Sequence, residues 1–499
     1  MKTIIESSKT YQILRKIFLF LLPPFRETFI YKLFMTDFNT EQWENSVTYK
    51  FLCKIRQLIG WFHKLLTGSF TYRAIHKRCQ VTTVSKIFGS SKVLNRCRVS
   101  GEGYSFSFLI FLMLLFLAGI LPTMVVVVLT VLALGFSLLE SKFRDNLMLN
   151  KPIFTDMLIG FYLIALILGL WLSIDPGKYQ IFLVYFTFVG FYYVVRYFVS
   201  TERRLILSIS FFTLSGIFVC GFGLLQFITG KYQTTTWTDT NLFTDIAGRI
   251  YSTFQNPNVF GEYLLFLVPL SLAMFLIAKD KLHKTIYGIC CAASVICMIL
   301  TYSRGCWLGL IAGLGLFVIL LYKKALIPIG MVAPFSIFLL PQSILNRFMS
   351  IGNLEDSSTA YRVYIWRGTV KMLEKYWPIG AGLGTHSFEV AYAPFALPAI
   401  TAPHSHSLYF HLMTEAGIFA LLTFVVLMYV ILRQLFLVYK HPKNREMQIL
   451  SIALVSGFVS FLIQGFFDNT FYNYRMYMLF FALLSLAASL YVVGGDESK

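Results

Sequence analysis

Apolar runs of about 18–25 residues recur from Phe106 to Val493 with polar connections between them, each long enough to cross a hydrocarbon core of roughly 30 Å as a helix. The pattern predicts about twelve spans, near 106–121, 123–139, 153–173, 179–199, 205–228, 257–278, 285–302, 306–322, 325–340, 405–432, 448–466 and 474–493. Only Pro122 separates the first two. One helix through both would be about 50 Å long, too long for a single crossing, so a hairpin is expected there. The expected fold class is an all-α polytopic integral membrane protein. Its largest polar interruption, residues 341–404, falls between the ninth and tenth spans.

Composition agrees: 57% hydrophobic and 13% charged residues exclude an ordinary soluble domain. Lysine and arginine crowd the even-numbered connections, as at Lys142, Arg144, Arg203, Lys279, Lys323, Lys324 and Lys443. That bias puts both termini in the cytoplasm and the 341–404 loop outside. The chain then divides into a basic cytoplasmic region, 1–104, a polytopic domain, 105–493, and a short cytoplasmic tail, 494–499. Most of the net charge of +19 lies in the first of these. There, Phe51 to Arg56 and Trp61 to Leu66 mix aromatics with cations, a composition suited to helices lying on anionic membrane lipids. No recognition motif accompanies the charge, so nucleic acid is not an expected partner. The eight cysteines include no CxxC pair and none in a long external loop, so neither a disulfide framework nor a metal site is expected.

The first five spans read as scaffold, with Asp156 and Arg196 near enough to span ends to snorkel. Polar chemistry gathers later, on the expected external side. A threonine-rich segment leads to Arg249 and then to Asn256-Pro257-Asn258, a turn and helix-opening signal. Arg304 has apolar spans on either side. An arginine at membrane depth is costly and normally faces a polar cavity or an anion. Residues Tyr361 to Leu373 have amphipathic helical spacing with Arg362 and Arg367 on the polar side, and the glycines of Gly380 to Gly384 read as a flexible lid over a cavity. The last external loop adds one carboxylate, Asp468.

The segment opening at Pro403 is the most unusual. A helix starting there and running on as the tenth span would put His404, His411 and Glu415 on one face. His406 would point the other way, in line with Gly417 and Ala420. The positive end of the helix dipole would keep an imidazole there neutral and able to accept a proton. His406 is therefore the candidate general base. Arginines beside a membrane suit a diphosphate, because guanidinium forks match phosphate oxygens. If the donor is a sugar on a lipid diphosphate, the arginines would stabilise the departing charge and the histidine would activate an acceptor hydroxyl. Three rivals are a transporter, a zinc site built from His386, His404, His406 and His411, and an assembly partner without chemistry. Charged residues at the external face rather than the midplane argue against the first. Against the second, His404 and His406 would point apart on a helix.

Ser252-Thr253-Phe254-Gln255-Asn256-Pro257-Asn258, Thr301-Tyr302-Ser303-Arg304-Gly305 and His404-Ser405-His406-Ser407 followed by Glu415-Ala416-Gly417 resemble the O-antigen ligase superfamily over roughly residues 106–493. The ligase signature is histidine, a small polar residue, nine residues and Gly-x-x-Gly; here Ala420 stands for the last glycine. The resemblance implies a GT-C-like, metal-independent membrane glycosyltransferase without a cofactor, acting in cell-envelope polysaccharide biosynthesis at the cytoplasmic membrane. Its donor would be a glycan on undecaprenyl diphosphate and its acceptor a glycan, lipid or protein. By motif position His406 would be the catalytic base and Arg304 a diphosphate contact, with Arg249 and Arg362 joining it. His404, Glu415 and Asn258 would support them. The superfamily also contains members labelled bicarbonate transporters, which keeps a small anion as the alternative cargo.

Overall fold

The computed structural model describes residues 40–69, 106–139, 150–231, 248–326, 329–331, 341–398 and 400–495. Among them the chain is all helix, with one isolated bridge between Pro442 and Gly495. Among the described residues, nine helices are long and apolar enough to cross a membrane. They are α5 (Phe154–Leu172), α6 (Lys178–Phe198), α7 (Glu202–Thr229), α8 (Pro257–Ile277), α9 (Lys281–Leu300), α10 (Arg304–Tyr322), α14 (Leu408–Lys440), α15 (Arg445–Phe467) and α16 (Tyr474–Gly494). The expected first two spans are shorter helices, α3 (Phe106–Leu117) and α4 (Thr123–Leu139), joined by the turn at Pro122. They form the hairpin that length alone demanded. The expected ninth span, 325–340, lies mostly outside the described residues.

The most enclosed helices are α8, α15 and α16. Helix α15 packs along both α8 and α10, while α16 packs along α6. Close approach of α10 to α15 needs glycine, since a Cβ at Gly309 would lie 2.5 Å from the Ser460 carbonyl oxygen; small residues at such crossings let backbones meet. Asp156 and Arg196, expected at the interface, are instead buried. The Asp156 carboxylate accepts from the Tyr192 hydroxyl at 2.8 Å, a satisfied polar contact that replaces snorkelling.

Two further groups of helices complete the described chain. At one end α1 (Thr40–Asn45) and α2 (Val47–Gly68) rest against α4 and α5. The Trp43 indole donates to the Pro152 carbonyl and Lys151 pairs with Glu44. Phe51, Leu58, Trp61, Phe62 and Leu65 form an exposed apolar face on α2. At the other end α11 (Gln342–Met349), α12 (Ser357–Tyr376) and α13 (Thr385–Tyr392) cover the mouth of the bundle. Helix α12 is the amphipathic helix that the spacing predicts, with Asp356 as its N-cap.

Helix α14 departs from expectation in two ways. It starts at Leu408 with Ser407 as N-cap, so 403–407 is not its first turn. It is also broken at Ala416 and Gly417, where Gly417 has φ 71°. A Cβ at Gly417 would lie 2.3 Å from the Pro378 carbonyl oxygen, so only glycine fits this crossing. The broken ladder is re-satisfied from the loop, with Ile418 N–H donating to the Trp377 carbonyl at 2.8 Å and Ala381 N–H to the Thr414 carbonyl at 2.7 Å. The Gly380 to Gly384 segment is therefore a wedge bonded into the break, not a free lid: Leu383 N–H also donates to Gly169 and Gly384 N–H to Glu415.

Candidate functional site

His406 sits in the two-residue approach to α14, with φ 48°. The left-handed region is strained for a residue with a Cβ and persists only where neighbours impose it. Here the Trp366 indole of α12 donates to the His406 carbonyl at 3.2 Å, and His406 N–H donates to His404 Nδ1 at 3.2 Å. The other non-glycine residues with positive φ among those described are Ser252, Gln255 and Tyr302, all in the turns that carry Arg249, Asn258 and Arg304. Gln226 of α7 holds the first of these turns, accepting from Ser252 N–H at 2.8 Å.

Asp468, the residue after α15, organises the site. Its Oδ1 lies 3.2 Å from His406 Nδ1 and accepts from Asn469 N–H at 2.9 Å. Its Oδ2 accepts from the Asn258 amide at 2.8 Å and from the Arg362 guanidinium at 3.1 Å. Arg249 donates onward to Asn258 Oδ1 at 2.7 Å and to the Thr301 carbonyl at 2.7 Å. Burial alone would raise the Asp468 carboxyl, but Arg362 and His406 hold it well below the usual carboxylate range. An ionised Asp468 accepts a hydrogen bond from His406 Nδ1–H, which leaves Nε2 as the nitrogen without a proton in the neutral ring. A carboxylate, not a helix dipole, sets the tautomer.

Arg304 lies in a neighbouring cluster. It pairs with Asp356 and donates to the Ser350 carbonyl at 3.1 Å and hydroxyl at 2.9 Å. Arg347 approaches the same carboxylate at 3.6 Å. Burial would raise Asp356, but the Thr359 hydroxyl and Arg304 keep it below its ordinary value. The two clusters share one field: burial first, then Arg347, Arg362 and Arg304, push the Arg249 guanidinium pKa down. Four guanidiniums and two carboxylates at one mouth leave excess positive charge for an anion.

His404 does not point away from His406: their ring centroids are 4.1 Å apart with the planes tilted by 49°, and the Tyr472 ring lies 4.5 Å from His404, tilted by 39°. Burial and the neighbouring His406 push the His404 imidazole pKa down to about 3. His411 and Glu415 do share a face of α14, with Nε2 3.3 Å from Oε2. With His404 they line a cavity of about 220 Å³ rather than the arginine mouth. Arg367 lies apart from both, in an open groove with Trp366, Lys371 and Phe395. Among the described residues no three His, Cys, Asp or Glu side chains meet in a way that could hold a metal ion.

Of the residues singled out from sequence, His406, Arg362, Arg249 and Asn258 are joined through Asp468, and Arg304 faces them through its own carboxylate. Asp468 was visible only as a lone loop carboxylate, and Asp356 and Arg347 gave no signal, because each acquires meaning from a partner distant in sequence. Glu262, buried one turn after Asn258, was readable as an acidic residue within an apolar span.

No curated protein matches the chain. Residues 289–425 match the family described as O-antigen ligase, a stretch holding Arg304, Arg362, His404, His406 and Glu415. The matched stretch is similar to the O-antigen ligase family and carries most of the site.

Proposed function

We propose that the protein transfers a glycan from undecaprenyl diphosphate to an acceptor hydroxyl at the external face of the cytoplasmic membrane, without a metal ion. The observation that carries this reading is Asp468, one carboxylate bridging a histidine and an arginine. The bond from the anomeric carbon to the diphosphate breaks, with its electron pair leaving on the diphosphate. The acceptor oxygen bonds to that carbon and its proton passes to His406 Nε2. Arg362, Arg249 and Arg304 meet the charge that grows on the departing phosphate. The excess of lysine and arginine on the opposite connections supports the external orientation.

The division into a basic region 1–104 and a membrane domain belongs to the same proposal. The exposed apolar face of α2, with Lys50, Lys54 and Lys64 on the same helix, supports its lying on anionic cytoplasmic lipid.

Purified protein in liposomes, given undecaprenyl-diphosphate-linked glycan and a supplied acceptor, tests the reading. Transfer that persists in EDTA and disappears in His406→Ala is expected. Absence of transfer with solute uptake instead would favour a transporter and overturn it.

A further inference from the structure

The 220 Å³ cavity has no part in the steps above, yet it abuts the base on two sides. His404 lines it, and its ring centroid lies 4.1 Å from that of His406. Asn469 lines it and directly follows Asp468, the partner of His406. The Asp468 carboxylate thereby separates two territories. Oδ1 faces His406 and Asn469, whereas Oδ2 faces Asn258 and Arg362. Among the described residues, no arginine lines the cavity.

We infer that this cavity is the acceptor subsite and that it takes a single sugar ring, so that the acceptor in the proposed transfer is a saccharide hydroxyl. This rests on the reading of the protein as a glycosyltransferase. The volume holds several waters, at roughly 30 Å³ each, which is the scale of one ring with its hydroxyls. Tyr472 and Tyr474 give aromatic faces for its C–H side, and the His411–Glu415 pair and Asn469 give hydrogen-bonding groups. Asn469 supplies the independent observation. It is 3% exposed. Its Oδ1 accepts from Phe471 N–H at 3.2 Å, while its Nδ2 has no hydrogen-bond partner among the described residues. A buried amide without a partner is uncommon in a folded protein, and a sugar hydroxyl would satisfy it.

The chemistry points to the same side. In a direct displacement the nucleophile approaches the anomeric carbon opposite the leaving group. With the diphosphate on the arginines, the acceptor oxygen arrives from the His404–Asn469 side. It bonds to the anomeric carbon as the bond to the diphosphate oxygen breaks, and its proton moves to His406 Nε2.

Saturation-transfer NMR on the full chain in nanodiscs, with a panel of methyl hexopyranosides and methyl N-acetylhexosaminides, tests this without requiring turnover. At least one glycoside is expected to bind the wild-type protein. Asn469→Asp keeps the oxygen that Phe471 uses but removes the amide donors, and should weaken binding about tenfold. Tyr472→Ala, at an exposed position, should weaken it too and serves if Asn469→Asp fails to fold. Undecaprenyl-diphosphate N-acetylglucosamine should leave the glycoside bound. Displacement by that lipid would make the cavity a donor-sugar site and overturn the inference. So would no binding by any glycoside, or unchanged affinity in folded variants. Failure of transfer with glycoside binding intact would instead count against the reaction alone.

Discussion

His406 Nδ1 lies 3.2 Å from Asp468 Oδ1, a contact made across 62 residues of chain. It joins the approach to one membrane helix to the exit from the next, α14 to α15, which pack together. Because Oδ2 of the same carboxylate holds Asn258 and Arg362, the proposed transfer has one group both orient the base and position a cation for the donor. The pair yields separable kinetic predictions.

His406→Ala should lower kcat by about 10²–10⁴-fold, the usual contribution of a general base, with little change in donor KM. Asp468→Asn keeps the side chain's shape but loses its charge, so kcat should fall less, while donor KM rises as Arg362 loses its anchor. Steady-state kinetics in liposomes measures both. Equal kcat in Asp468→Asn and wild type would remove the pairing from the mechanism.

Arg362→Ala should act mainly through the donor. Its guanidinium is partly open, with one-fifth of the side chain exposed, so truncation leaves the fold intact and raises donor KM. Arg362→Lys should recover only part of the loss, because an ammonium cannot offer the same planar fork. An effect confined to acceptor KM would place Arg362 on the wrong side of the reaction.

Asp356 is a stability prediction. It is fully buried between Arg304 and Arg347, and removing one partner of a buried ionic cluster costs about 3–5 kcal/mol. Asp356→Ala should lower Tm in detergent more than Arg362→Ala does. Similar Tm values for the two would show that the cluster adds little to the fold.

Acid pH should destabilise the protein in two stages. His404 has a folded pKa pushed down to about 3 by burial and by His406, against about 6.5 when unfolded. The unfolded chain binds the extra proton between those values, so stability is full above about pH 6.5 and falls as pH drops through the window. Asp468, held below its ordinary value, contributes stability present above about pH 4 and lost below it. The charged and titratable neighbours of His404 are His406, Asp468, His411 and Arg362. His404→Gln should therefore reduce the loss of Tm between pH 7 and 4.5, leaving the steeper fall below pH 4. An unchanged Tm slope in His404→Gln would contradict this.

Gly417 tests the broken helix. Alanine there would need φ 71° and would force a Cβ to 2.3 Å from the Pro378 carbonyl oxygen. Gly417→Ala should cost at least about 2 kcal/mol and disturb both the wedge and the cavity beside it. Ala420→Gly, at a buried position packed with Ala165 and Ala416, should cost only about 1 kcal/mol, the helix penalty of glycine. Thermal unfolding of the two variants separates a backbone requirement from mere smallness.

Hydrophobic run length by itself determined that this is an all-helical membrane protein, because a chain crossing lipid must satisfy its backbone within each segment. The Pro122 hairpin, helix α12 and the crowding of arginines and histidines at one end were legible for the same reason: each is written in local spacing. The His404–His406 ring contact was not, since a periodic apolar pattern cannot reveal that residues 403–407 lie outside the helix. Nor was the break at Gly417, which needs the Pro378–Ile379 backbone pressed against it. Asp468 and Asp356 became central only when packing brought them to partners far along the chain. Electrostatic pairing depends on distance in space, and here only the tertiary structure decided which of many candidate charges would meet.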